Sequence, residues 1–202
     1  MIPGVLNQQG VPFVATALNP ADMGANLSLS NGDLTVTKTA GVAYSAVRAL
    51  TGLSSGKYYW ELSATLLSGG DRLATFGVAT SSHVLDNYIG INSEGRGYFA
   101  QNGAIYPGGA AYGGGALGDG VILGCALDMD NGRIYWSVAG EWRNFGDPET
   151  GTNPAFSDLS GLTVYPAVSL YDGTLPHSAT INFGASPFTY SAPAGYTAGV
   201  PL

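Results

Sequence analysis

From Asp119 to Phe145 the chain reads Asp-Gly-Val-Ile-Leu-Gly-Cys-Ala-Leu-Asp-Met-Asp-Asn-Gly-Arg-Ile-Tyr-Trp-Ser-Val-Ala-Gly-Glu-Trp-Arg-Asn-Phe, and no other segment constrains the fold as much. Two runs rich in apolar, β-branched and aromatic residues flank Asn131-Gly132, a dipeptide that accepts the positive φ angles of a type I′ turn. The pattern predicts a strand, a tight turn and a second strand.

The rest of the chain follows the same grammar. Short alternating runs are broken by Gly, Asn, Asp and Pro about every ten residues, which predicts an antiparallel sandwich, and no helical period is evident. Residues 26–30 and 34–39 are joined by Asn31-Gly32-Asp33 as a first hairpin, residues 58–66 form a strand, and residues 73–79 complete the next pairing. Leu27, Leu29, Leu34 and Val36 alternate with Ser28, Ser30, Thr35 and Thr37, giving each strand an apolar face for the core and a hydroxyl face for water.

Composition narrows the function. Only 10% of the 202 residues are charged and 31 are Gly, so turns are many and long solvated helices are not expected. The length fits one domain. A formal charge of −7 with seven Lys and Arg leaves no basic footprint for nucleic acid. Cys125, the single cysteine, lies in an apolar run and reads as a small buried hydrophobe. The opening decapeptide lacks the basic and apolar regions of a signal peptide, and no run of about 18 apolar residues predicts a membrane span. Residues 1–18 are apolar and uncharged, with Pro3 and Pro12 opposing regular pairing. They read as an extended arm that packs on its own domain or on another subunit. Residues 103–120, rich in Gly and carrying Tyr106 and Tyr112, read as a long functional or mobile loop.

Several chemical motifs are present without the context they need. Gly52-Leu53-Ser54-Ser55-Gly56 has nucleophile-elbow spacing, but a strand follows where the elbow requires a helix. Gly113-Gly114-Gly115-Ala116-Leu117-Gly118 matches a dinucleotide loop but also runs into a predicted strand. The run from Asp128 to Gly132 has its glycine one position early for a calcium loop, and position twelve is Ala139 rather than Glu. His83 and His177 are not at ligand spacing from Cys or carboxylates, so no metal and no cofactor is expected. Paired acids for glycoside hydrolysis would have to come from Asp71, Asp86, Asp147, Glu149, Asp158 and Asp172, and spacing selects no two of them.

Four blocks carry a family resemblance. They are Ser55-Gly56-Lys57-Tyr58-Tyr59-Trp60-Glu61 after Val47-Arg48-Ala49; Phe76-Gly77-Val78-Ala79-Thr80; Gly120 through Asp128 with Trp136-Ser137-Val138; and Val164 through Leu170, closed by Thr180-Ile181-Asn182-Phe183-Gly184. In this order they resemble the SPRY domain from about residue 19 to 197. The resemblance implies an all-β, two-sheet antiparallel β-sandwich of SPRY type (residues 19–202) behind an extended N-terminal arm (residues 1–18). It also implies a protein that binds partners through loops and performs no chemistry. Ala139-Gly140 stands where the family writes Asn-Gly, and the Gly/Tyr loop replaces a bulky charged segment, so the family's peptide-binding residues do not transfer.

Asn19-Pro20-Ala21-Asp22 and the hairpin after it resemble the version of the domain in bacteriophage virion proteins. The expectation is a non-enzymatic module displayed on a virion (tail fibre, receptor-binding or capsid surface), assembled in the bacterial cytoplasm. Residues 1–18 would anchor it to other virion proteins in an oligomeric assembly, and its loops would meet host glycan or protein. Structural cement and an intracellular peptide-binding SPRY adaptor are the alternatives. The candidate binding residues are the loop aromatics Tyr88, Tyr98, Tyr106, Tyr112, Trp142 and Tyr171, able to stack at low entropy cost, with the scarce cations Arg96 and Arg143 as interface anchors or ties for loop carbonyls.

Overall fold

A computed structural model describes residues 13–65, 73–172 and 177–202. They form β1 (Leu18–Met23), β2 (Leu27–Ser30), β3 (Thr35–Lys38), β4 (Val42–Ala49), β5 (Lys57–Thr65), β6 (Ala74–Ala79), β7 (Gly95–Phe99), β8 (Ala104–Tyr106), β9 (Ala110–Ala111), β10 (Ile122–Asp128), β11 (Arg133–Val138), β12 (Glu141–Trp142), β13 (Tyr165–Asp172), β14 (Ser178–Asn182) and β15 (Thr197–Ala198). A seven-stranded sheet runs β1-β4-β13-β6-β7-β8-β9, and the second runs β12-β11-β10-β5-β14-β3-β2, with β15 joining β5 in parallel. The two-sheet antiparallel sandwich expected from the sequence is the fold that forms.

Side-chain alternation decides what lies between the sheets. In β5, Trp60 and Leu62 enter the core while Tyr59 packs in a separate cluster on the outside; in β6, Phe76 and Val78 enter it. Trp136 of β11 is the hub, fully buried with Tyr98, Tyr112 and Phe156 rings 6.1 to 6.3 Å away. Full burial of one such side chain contributes about 2 to 3 kcal/mol, so this core holds the sheets together. Cys125 is a free buried thiol, and burial pushes its pKa up, so it stays protonated.

The turn expected at Asn131-Gly132 takes another form. β10 and β11 pair as far as Asp128 opposite Arg133, so the connection is four residues long, and of the dipeptide only Gly132 has positive φ. Buried Asp128 accepts hydrogen bonds from the Asn131 N–H at 3.0 Å and from its Nδ2 at 2.9 Å, and pairs with Lys57 at 3.0 Å. A carboxylate-closed loop therefore replaces the tighter turn. A two-residue turn occurs one strand later, where Val138 pairs with Glu141 across Ala139 (φ 52) and Gly140 (φ 81). The Asn31-Gly32-Asp33 connection joins β2 to β3 with all three residues left-handed.

Of the arm, residues 13–18 pack on their own domain. The Thr16 N–H donates to Val200 O at 2.8 Å, the Leu202 N–H donates to Val14 O at 2.9 Å, and Leu18 is fully buried. Residues 1–12 lie outside the described residues, as do Asp71 and Leu66. The Gly/Tyr stretch is less open than expected, because β8 and β9 extend the seven-stranded sheet and Tyr112 and Leu117 plug the core.

Candidate functional site

The outer face of the seven-stranded sheet is set by strand register. Ser169 of β13 lies opposite Ala46 on one side and Thr75 on the other, Thr75 lies opposite Phe99, and Gly97 opposes both Gly77 and Tyr106. Residues directly opposite share a face, so the centre of this face is small and its flanks are aromatic. The segment between β6 and β7 lies down on the small part. Ile89 is fully buried against Ala46, Ala79 and Ala167. A Cβ at Gly97 would stand 2.5 Å from the Ile89 carbonyl oxygen, so glycine is required for this close approach.

Polar ties fix the same segment. The Ile89 N–H donates to Thr75 Oγ1 at 3.0 Å and Ser169 Oγ at 3.2 Å, and the Ala46 N–H donates to Leu85 O at 2.8 Å. Arg48, 5% exposed, donates through Nη1 to the carbonyls of Thr80 (3.0 Å) and His83 (2.8 Å). Its Nε and Nη2 form a bidentate pair with Asp22 of β1, both at 2.7 Å. His83 is buried beside Arg48, and burial, then that guanidinium, lowers its pKa, so the imidazole stays neutral.

The segment so fixed delivers Tyr88 into a group of rings. Tyr44 lies 5.2 Å from Tyr88 and 4.9 Å from Tyr171, and Tyr106 lies 5.6 Å from Tyr88 and 5.7 Å from Phe99. Tyr44, Tyr88, Phe99 and Tyr106, with Thr75, line an open cleft of about 140 Å³. Burial, then the neighbouring phenols Tyr88, Tyr106 and Tyr171, push the Tyr44 pKa well up, and Tyr88 is raised by burial and Tyr106. These two phenols are therefore neutral hydrogen-bonding groups across the physiological range.

Three of the eight sequence candidates, Tyr88, Tyr106 and Tyr171, come together here. The other five lie elsewhere. Tyr98 and Tyr112 are core residues packed on Trp136. Arg96 is a tie: it pairs with Asp158 at 3.0 and 2.7 Å, donates to the Ser93 and Gly95 carbonyls, and lies over the Phe156 ring. Trp142 packs edge-on to Tyr59 at the far edge of the other sheet, and Arg143 follows it in a turn. Tyr44, Phe99 and Thr75 were not among the candidates. Their signal is parity, since Tyr44 is in phase with Ala46 and Arg48 on β4, and Thr75 and Phe99 are cross-strand partners. Among the described residues no group of His, Cys, Asp and Glu has metal-binding geometry.

A family model described as the SPRY domain matches residues 57–186. The chain belongs to the SPRY domain family. SPRY domain-containing SOCS box protein 2 from Homo sapiens is 34% identical over 167 residues, covering 75% of this chain and 59% of that protein. The Mus musculus and Rattus norvegicus proteins of that name are 33% identical over 169 residues with the same coverage. The chain thus spans about 59% of the length of these relatives. The SPRY domain of human HERC1 superposes with a TM-score of 0.69 at 22% identity, over 85% of this chain and 100% of that one. The TRIM65 PSpry domain gives 0.63 at 19%, over 84% and 92%. These two similarities establish the fold.

The SPRY block Tyr59-Trp60-Glu61 has a structural task here. Glu61 is 3% exposed and accepts hydrogen bonds from the Tyr59 hydroxyl (3.0 Å) and from the N–H groups of Thr189 (2.8 Å) and Tyr190 (2.7 Å). It thereby holds the C-terminal segment over the second sheet, where Phe188 and Tyr196 pack on Tyr59 and Tyr135.

Proposed function

We propose that this SPRY domain is a non-enzymatic protein-interaction module that holds a short segment of a partner protein in the tyrosine-lined cleft. The observation that carries this reading is the shape of the cleft. Its rings are inclined to one another by 57 to 86°, so with Thr75 in the lining they form a box rather than a flat plate. A box of about 140 Å³ admits one uncharged side chain end-on, and tyrosine walls supply contact area and hydrogen bonds at low entropy cost. The relatives named above support the adaptor-type alternative over display on a virion. The virion reading rests on the likeness of the segment around residues 19–37 and on the low charge of the chain, and its arm-mediated anchoring on the apolar, uncharged composition of residues 1–18.

Selection of a random peptide library against the purified domain tests the proposal. Enriched peptides should bind Tyr88→Ala or Tyr106→Ala at least about tenfold more weakly, the loss typical of an aromatic hot spot, and should bind Trp142→Ala as well as the parent. Failure to enrich any peptide, or binding indifferent to the cleft substitutions, would overturn it.

A further inference from the structure

The opposite side of the sandwich carries a second ordered surface. On the outer face of the second sheet, Ser28 pairs with Thr37, Thr37 with Ser178, and Ser178 with Thr65. The adjacent row pairs Ser30 with Thr35, Thr35 with Thr180, and Thr180 with Ser63. Their neighbours along the strands, among them Leu27, Val36, Ala179, Leu62 and Ala64, are buried in the core, so the hydroxyl residues face outward. Four adjacent strands thus present two rows of four hydroxyls, about 4.8 Å apart within a row and about 6.7 Å between rows. Thr35 and Thr180 are close enough to share a hydrogen bond at 2.9 Å, which fixes the middle of the array. One end opens into a groove of about 110 Å³ whose lining includes Ser63, Thr180, Asn182, Thr189 and Ile122, with the Glu61 carboxylate as its one charged group.

We infer that this face is a second binding surface, for an uncharged polysaccharide. Each hydroxyl both donates and accepts, so a partner that matches the array must also do both at regular spacing, as the hydroxyls of a glycan chain do. All eight side chains are neutral, which offers an anionic polymer or lipid surface no counter-charge. Protein interfaces are depleted in Ser and built around aromatic, Met and Arg anchors, and this array has none. Ile122 at the groove gives the apolar C–H face of a sugar ring a place to rest. Strand spacing is close to the length of one pyranose unit in an extended chain, so successive sugars meet successive strands. Because the tyrosine cleft lies on the other sheet, the domain can hold a protein segment and a glycan at once.

Co-sedimentation of the full chain with insoluble neutral polysaccharides (cellulose, chitin and xylan) tests the inference. At least one should deplete the protein from solution. Thr37→Val/Thr180→Val, which removes two hydroxyls and keeps side-chain shape, should weaken that depletion about tenfold, the worth of one to two net hydrogen bonds. Thr180→Lys, at an exposed position, should weaken it further, and Tyr88→Ala in the cleft should leave it unchanged. No depletion by any of the three polysaccharides, or depletion unaffected by the array substitutions, overturns the inference. Reshaping of ice crystals by the domain without polysaccharide binding overturns it too, in favour of a water-ordering face.

Discussion

Arg48 joins the N-terminal strand to the loop that shapes the cleft, and its removal has a calculable cost. The guanidinium makes four hydrogen bonds, two to Asp22 and two to the Thr80 and His83 carbonyls. In Arg48→Met the methylene stem is retained and these bonds are lost. Breaking a buried pair by deleting one partner costs about 3 to 5 kcal/mol, and each carbonyl left without a donor about 1 kcal/mol or more. Asp22 keeps 31% of its side chain in solvent and can rehydrate, which discounts the ion-pair part toward its lower end. The expected total is about 5 kcal/mol, or a melting-point fall of roughly 10 to 20 °C for a domain of this size. Urea unfolding followed by tryptophan fluorescence should show a lower midpoint with an unchanged slope. Arg48→Lys keeps the charge but not the planar fork and should fall between the two. Because the same bonds hold the segment that delivers Tyr88, peptide affinity at the cleft should drop in Arg48→Met even at temperatures where it is fully folded. A loss below about 1 kcal/mol, or unchanged cleft binding in the folded variant, would refute this account of the tie.

Three further outcomes are expected. Glu61→Gln places an amide where three donors converge and should cost about 2 kcal/mol, with limited proteolysis accelerating between residues 184 and 196. Ala139→Asn or Ala139→Gly suits the left-handed conformation at φ 52 and should raise stability by about 1 kcal/mol in chemical denaturation; a loss would show that Ala139 is not strained. At Asp128 burial works to raise the pKa, but hydrogen bonds from Asn131 and Lys57 outweigh it and hold the value below the ordinary 3.8. Such a group adds stability above its unfolded value, and that stability is lost as pH falls through the folded one. Asp128→Asn should therefore flatten the acid limb of the stability curve below about pH 4 and leave its shape at neutral pH alone.

Much of the fold was legible because it rests on local rules. A two-residue alternation marks Leu27, Leu29 and Val36 for the core, and the turn at Asn31-Gly32-Asp33 follows from residues that tolerate positive φ. The form of the central turn was not legible. Asn131-Gly132 has the chemistry of a type I′ turn, but the Asp128 carboxylate, itself held by Lys57 from a neighbouring strand, closes a wider loop. Loop aromatics misled for a related reason. Tyr98 and Tyr112 look like Tyr106 in sequence, yet their strand and loop paths turn them onto Trp136. Arg96 found its partner Asp158 at a distance of 62 residues, which no local pattern announces.

By itself the sequence determined the class of fold, the hydroxyl faces and the positions of most strands, since each is written in spacing within about ten residues, and its four motif blocks carried the family resemblance. Only the tertiary structure decided which tyrosines meet. Tyr44, Tyr88 and Tyr106 come from different elements and share one cleft, with Tyr171 packed on Tyr44 beside it, because register places small residues at the centre of the sheet and lets a loop lie there. Register is a property of paired strands, fixed when the apolar faces of both sheets are buried together, and no single strand carries it.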